Sequence, residues 1–82
     1  MKEERIGVIG IVITDRKNAA PKVNSILSEY SDIIIGRMGI PYKERNVSVI
    51  ALTFECDTDQ IGALTGKLGS IESVDVKSVI CT

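Results

Sequence analysis

The chain has 82 residues, of which 44% are hydrophobic and 26% charged, and its formal net charge is −1. This length suits one small domain, and the composition is that of a globular protein. The sequence has no histidine, which excludes Ser-His and Cys-His catalytic pairs and histidine-ligated metal sites. A pI near 5.3 with dispersed basic residues argues against direct nucleic-acid binding, and no apolar run is long enough to span a membrane.

The first five residues mix charges and lack the long apolar stretch of a secretory signal. We therefore expect a cytoplasmic protein consisting of a single domain over residues 1–82. We expect it to use no cofactor and no metal, and to contact neither membranes nor nucleic acid directly.

The apolar residues are mainly β-branched, with thirteen Ile and eight Val against four Leu, which favours strands. Residues 6–14 are apolar at odd and at even positions alike, which predicts a strand buried on both faces. Polar residues 15–18 follow, and Asp15 or Asn18 is suited to cap a helix with Pro21 in its first turn. The apolar stripe of that helix recurs at spacings of three and four, at Ala19, Val23, Ile26, Leu27 and Tyr30.

The central part of the chain predicts two strands, 33–38 and 47–56, joined by a polar connection at 39–46 that contains Gly39 and Pro41. In the second of these strands the even positions are bulkier, so we expect them to face the helices. A second helix follows a cap in residues 57–59, with Ile61, Leu64, Leu68 and Ile71 on one face. Residues 74–80 predict the last strand.

The order strand, helix, strand, strand, helix, strand is the ferredoxin-like split βαβ arrangement. The predicted fold class is therefore α+β: a four-stranded antiparallel sheet with both helices on one face. Right-handed crossovers place the first and third strands in the middle of the sheet.

The sheet face opposite the helices is predicted to be apolar, although a monomer would be expected to show a polar face there. The residues expected on it are Val8, Val12, Val47, Val49 and Ala51. A patch of this kind exceeds what monomers usually expose, so we expect a homo-oligomer, a dimer or a tetramer. The alternative is a monomer in which the connection at 39–46 covers this face.

The second helix contains Gly62, Gly66 and Gly69, and each interior glycine costs about 1 kcal/mol against alanine. We interpret these glycines as marking close backbone approach to the sheet, to a partner subunit or to a ligand.

The loop after the first strand is the best candidate for a small-molecule site, because it leads into a helix N-terminus that favours anionic groups. The ligand-binding residues predicted there are Thr14, Asp15, Arg16 and Asn18. A plain capping loop is the competing interpretation. An acylphosphatase would need a glycine-rich cradle around Arg16, which the sequence lacks, so hydrolysis is the remote alternative.

Cys56 and Cys81 each end a predicted strand on either side of the first one. Two inter-strand steps separate them by roughly 9–10 Å, which is beyond the reach of a disulfide. We interpret both as small apolar fillers.

Two segments, IIIGRMGIPY at 33–42 and DQIGALTGKLGSIESVDVKS at 59–78, resemble the small iron-only hydrogenase system regulator family, an ACT-like family of about this length. The run at 61–69 is the most specific part. The resemblance implies a ferredoxin-like oligomer that senses a signal and affects transcription or assembly of the hydrogenase system. It supplies no catalytic or binding residue.

The resemblance to ACT-like proteins implies a non-enzymatic regulatory or ligand-sensing domain with a small-molecule effector. ACT domains bind amino acids near the first strand–helix loop, but residues 14–18 lack the glycine typical of such sites. The architecture is also similar to the C-terminal domain of the nickel-responsive repressor, whose nickel site needs histidines that are absent here. The alternative function is an adaptor that presents the open sheet face or the helices to another protein.

Overall fold

The computed structural model describes residues 3–82, and Met1 and Lys2 of the charged N-terminal segment lie outside the described residues. In residues 3–82, strands and helices follow one another in the predicted order. The elements are β1 (Arg5–Ile13), α1 (Arg16–Glu29), β2 (Ile34–Tyr42), β3 (Val47–Cys56), α2 (Thr58–Gly69) and β4 (Val74–Ile80). Two short 3₁₀ turns flank β2, at Ser31–Ile33 and Lys43–Arg45.

The strands form one sheet in the order β2-β3-β1-β4, and every neighbouring pair is antiparallel. As predicted, β1 and β3 are the central strands. Ile11 illustrates the register of β1 with its neighbours: it lies opposite Ile50 of β3 on one side and Val76 of β4 on the other.

The core lies between the sheet and the two helices, and alternate residues of the central strands point into it. Ile9, Ile11 and Ile13 of β1 are buried, together with Leu52 and Phe54 of β3. The even positions of β3 therefore face the helices, as their size predicts. The helices complete this core with buried aliphatic residues, namely Val23, Leu27, Ile61, Leu64 and Leu68.

Each helix begins at an aspartate that caps it. Asp15 caps α1, and Asp57 forms a capping box with Gln60 at the start of α2. The prediction that Pro21 lies in the first turn of α1 is wrong, because the helix begins at Arg16 and Pro21 falls inside it. Pro21 is exposed. Because its ring is bonded to the backbone nitrogen, the helix lacks one N–H donor at this position.

Strand β2 is longer than predicted, which corrects the assignment of 39–46 to a connection. Gly39 and Pro41 lie within β2, opposite Ile50 and Ser48 of β3. Proline is tolerated here because β2 is an edge strand, and the turn falls instead at 43–46, where Asn46 has a φ of 55°. Since 39–42 pair with β3, they do not fold over the face opposite the helices.

Candidate functional site

Ser73, in the turn between α2 and β4, fixes the loop that connects β1 to α1. Its carbonyl oxygen accepts hydrogen bonds from the Thr14 amide at 2.9 Å and the Thr14 hydroxyl at 3.2 Å. Its hydroxyl oxygen accepts from the Asp15 amide at 3.3 Å. Ser73 has a φ of 71°, a backbone conformation that serine rarely adopts. The loop is therefore held by a strained residue that is distant in sequence.

The Asp15 carboxylate occupies the N-terminus of α1. One oxygen accepts from the Asn18 amide at 3.3 Å, and the other accepts from the Asn18 side-chain amide at 2.9 Å. The residue's own negative charge thus lies where the helix would favour an anion. Of the two candidate caps, Asp15 caps α1, whereas Asn18 lies within the first turn of the helix and donates to Asp15. Any anionic ligand must therefore bind beside this cap.

An open cleft of about 620 Å³ adjoins the loop. Thr14, Asp15, Arg16 and Lys17 line one side of it, and Asn46 and Ser48 line the other. We call this the effector cleft. It lies between the start of α1 and the start of β3, so residues about thirty positions apart in sequence share one concave surface.

The effector cleft contains three of the four predicted ligand-binding residues. Asn18 lies outside it and lines a smaller cleft of about 230 Å³ together with Lys22 and Ser73. Sequence reasoning missed Asn46 and Ser48. The sole available signal for Asn46 was its residue type, since asparagine adopts a left-handed turn conformation more readily than most residues.

The effector cleft is surrounded by more basic than acidic side chains. Arg16 and Lys17 line it, while Lys43 and Arg45 lie in the turn that leads to Asn46. The acidic residues nearby are already hydrogen-bonded: Asp15 to Asn18, and Glu44 to the Tyr42 hydroxyl at 3.1 Å. This excess of cations stands out in a chain whose net charge is −1, and it favours anionic ligands.

The sheet face opposite the helices carries mainly apolar side chains; we call it the open face. Val12, Val49 and Ile40 lie side by side across three strands. Val8 is 45% exposed and Met38 58% exposed. The predicted members share this face by register, and so do four further residues that were not predicted, namely Met38, Ile40, Tyr42 and Val79. Ile40 and Tyr42 join this face because β2 is longer than expected.

Two of the glycines of α2 do not pack against the rest of the described chain. A Cβ atom at Gly62 or Gly66 would meet nothing within 4 Å, and both residues are exposed. A Cβ at Gly69 would lie 3.4 Å from the Val76 side chain, an ordinary contact. The predicted close approach to the sheet is therefore not found at Gly62 and Gly66, and an interface role for them stays a prediction.

The two cysteines lie at the same end of the sheet. Cys56 is opposite Arg5 in the registry, and the Cys81 amide donates to the Ile6 carbonyl oxygen at 2.8 Å. Both thiols are free; Cys56 is buried and Cys81 exposed. Burial, with help from nearby Asp57 and Glu4, raises the pKa of the Cys56 thiol. A neutral, buried thiol is a poor nucleophile.

Within residues 3–82, no three of the Cys, Asp and Glu side chains form a group that could hold a metal ion. In the same range, no helix is both long enough and apolar enough to cross a membrane.

The fold is that of an ACT-like domain. The ACT domain of a GTP pyrophosphokinase from Chlorobium tepidum superposes with a TM-score of 0.73 over 93% of this chain and 86% of that chain, at 20% identity. An "Unknown Protein" from Galdieria sulphuraria superposes with a TM-score of 0.66 at 10% identity, over 98% of this chain and 46% of that one. At these identities the likeness concerns the fold.

Residues 5–78 match the model of the TM1266-like family, described as "Iron-only hydrogenase system regulator, putative". The chain belongs to this family. The uncharacterized protein TM1266 from Thermotoga maritima is 42% identical, with a TM-score of 0.94, and the match covers 98% of this chain and 100% of that one. The comparison with curated proteins gives no significant match.

Proposed function

We propose that this chain is a non-enzymatic regulatory domain of the iron-only hydrogenase system, which acts as a homo-oligomer and binds a small-molecule effector. Control of transcription or of hydrogenase maturation would follow from a change in its assembly or in its contacts with a partner protein. Family membership and the ACT-like fold support the regulatory role.

The observation that carries the proposal is the open face. A sheet covered on one side only should present polar residues to water on the other. Here Val8, Met38 and Ile40 are 45%, 58% and 46% exposed on that side. A second copy of the chain would remove this surface from water, which is favourable at about 25 cal/mol per Å² of apolar area.

Regulation then requires that the effector bind one arrangement of subunits more tightly than another. The effector cleft is placed for such coupling, because Thr14 follows the last residue of β1 and Ser48 precedes Val49 of the open face. Hydrolysis of an acyl phosphate fits the cleft less well. The Asp15 carboxylate lies at the helix N-terminus, beside Arg16, where the phosphate would have to bind.

Sedimentation of the purified chain at micromolar concentration tests the assembly. We expect a dimer or tetramer for the native sequence, and a monomer with an unchanged circular-dichroism spectrum for Val49→Lys, because a charge buried in an apolar interface is costly. Ser28→Lys is the matched control, since it adds the same charge at an exposed position on α1 and should remain oligomeric. A native chain that sediments as a monomer would overturn the proposal and leave the adaptor alternative.

A further inference from the structure

We infer, building on the effector cleft proposed above, that the cleft is one end of a longer groove that binds a small organic anion. The anionic group would lie at Arg16 and Lys17, and an apolar body would extend toward Arg37. The sequence pattern predicts an anion at the first strand–helix loop, but neither it nor the family description assigns the extension toward Arg37 or an apolar body to the ligand.

The two parts of the groove adjoin each other, because two residues belong to both. Ala20 and Ser48 line the effector cleft and also line a neighbouring depression of about 200 Å³ between α1 and β2. Clefts of roughly 300–1,000 Å³ are typical of small-molecule sites, and the effector cleft of about 620 Å³ falls within this range.

The groove exists because β2 extends past the helix layer. All of β2 after Ile34 is exposed. Gly39 and Pro41 lie on its helix side, opposite Ile50 and Ser48. Neither residue carries a long side chain that could fill the space beside α1, so the strip between helix and strand stays open. The same feature that sequence reading mistook for a connection therefore forms one wall.

The far end of the groove is closed by Arg37. Its Nη2 donates to Oδ1 of Asn24 at 2.9 Å and thereby bridges β2 and α1. A guanidinium group has five N–H donors, so this bond leaves most of them available to a ligand.

The middle of the groove is apolar, with Ile13 and Ile50 at its base and Ala20 at its side. Cations therefore lie at both ends, Arg16 and Lys17 at one and Arg37 at the other. Among residues 3–82, the one carboxylate that lines the groove is that of Asp15, and both of its oxygens already accept hydrogen bonds from Asn18. Three cations against one carboxylate favour an anion with an apolar body over a zwitterion, whose ammonium group the cations would repel.

Titration of the ¹⁵N-labelled chain, followed by amide shifts, tests this binding. The probes are adenosine monophosphate, 4-methyl-2-oxopentanoate, inorganic phosphate and leucine, each at matched ionic strength. We expect saturable shifts at Ala20, Ser48 and Arg37 with one of the two organic anions, and weaker binding of phosphate and leucine; which organic anion binds identifies phosphate or carboxylate as the head group. Equal binding of inorganic phosphate, tighter binding of leucine, or no binding of either organic anion would overturn the inference.

Three charge-removing variants locate the ligand within the groove. Arg16→Gln and Arg37→Gln should each weaken binding about tenfold, since each removes one charge-assisted hydrogen bond. Lys22→Gln is the matched control, because Lys22 is exposed on the same helix but does not line either part of the groove. It should change binding less than about twofold at physiological salt.

The outcomes separate this inference from the proposed function. If Arg16→Gln weakens binding and Arg37→Gln does not, the effector cleft stands and the longer groove is wrong. If both weaken binding but the bound anion leaves sedimentation unchanged, the groove stands and the proposed coupling to assembly is wrong.

Discussion

Gly7 is a position where a single methyl group should matter. It is buried in β1, and a Cβ there would lie 2.1 Å from the Val79 carbonyl oxygen and 2.7 Å from Cζ of Phe54. The backbone of β4 cannot move aside without breaking its pairing with β1, and the ring of Phe54 is fully buried. Gly7 therefore allows the largest core side chain and the edge strand to approach β1 together.

We expect Gly7→Ala to lower the free energy of unfolding by about 1–3 kcal/mol, toward the upper end, because a packed site must be forced apart. Urea unfolding followed by circular dichroism measures the change. Gly36→Ala is the control in another strand of the sheet, where a Cβ meets nothing within 4 Å, and it should change stability by less than about 0.5 kcal/mol. Equal effects of the two substitutions would show that Gly7 is not tightly packed.

At the scale of the elements, α2 begins with a reciprocal pair of hydrogen bonds. Oδ1 of Asp57 accepts from the Gln60 amide at 2.8 Å, and Oε1 of Gln60 accepts from the Asp57 amide at 3.1 Å. We expect Asp57→Ala to cost about 1 kcal/mol in thermal or urea unfolding. Asp57→Asn should retain most of the stability, because asparagine caps as well as aspartate. A loss as large in Asp57→Asn would mean that the charge, and not the cap, stabilises the helix.

The sequence predicts elements well where one periodicity dominates. The alternation in 47–56 identified β3 and the face that it buries, and the spacing of Ile61, Leu64 and Leu68 identified α2. The prediction was wrong where prolines, which usually interrupt helices and strands, lie at positions that tolerate them. Pro41 lies in an edge strand and Pro21 on an exposed turn of α1, and neither context can be read from the residue alone.

The candidate site could be predicted only on the side that is local in sequence. Thr14, Asp15 and Arg16 follow a strand directly and were identified by that position. Asn46, Ser48 and Arg37 reach the groove through the pairing of β2 with β3. The place of Asn46 and Ser48 depends on where β2 ends, which hydrophobic patterning placed at residue 38 instead of Tyr42.

At the scale of the whole molecule, the two faces of the sheet are covered unequally. The helices and one face of the sheet enclose the core, while the open face exposes aliphatic side chains such as Val8 and Met38. A domain of this size buries only about 60% of the surface of its unfolded chain. Contacts with a second copy would therefore add appreciably to a marginal stability.

The proposed assembly through the open face would link folding to protein concentration. If the folded chain is a dimer, each tenfold increase in concentration should raise the apparent free energy of unfolding by about 1.4 kcal/mol per mole of dimer. Urea midpoints measured over a hundredfold range of concentration should rise for the native chain and for the control Ser28→Lys. Val49→Lys should show one midpoint at all concentrations, because we expect its folded state to be a monomer. A native midpoint that does not move with concentration would mean that the open face stays in water in the folded protein.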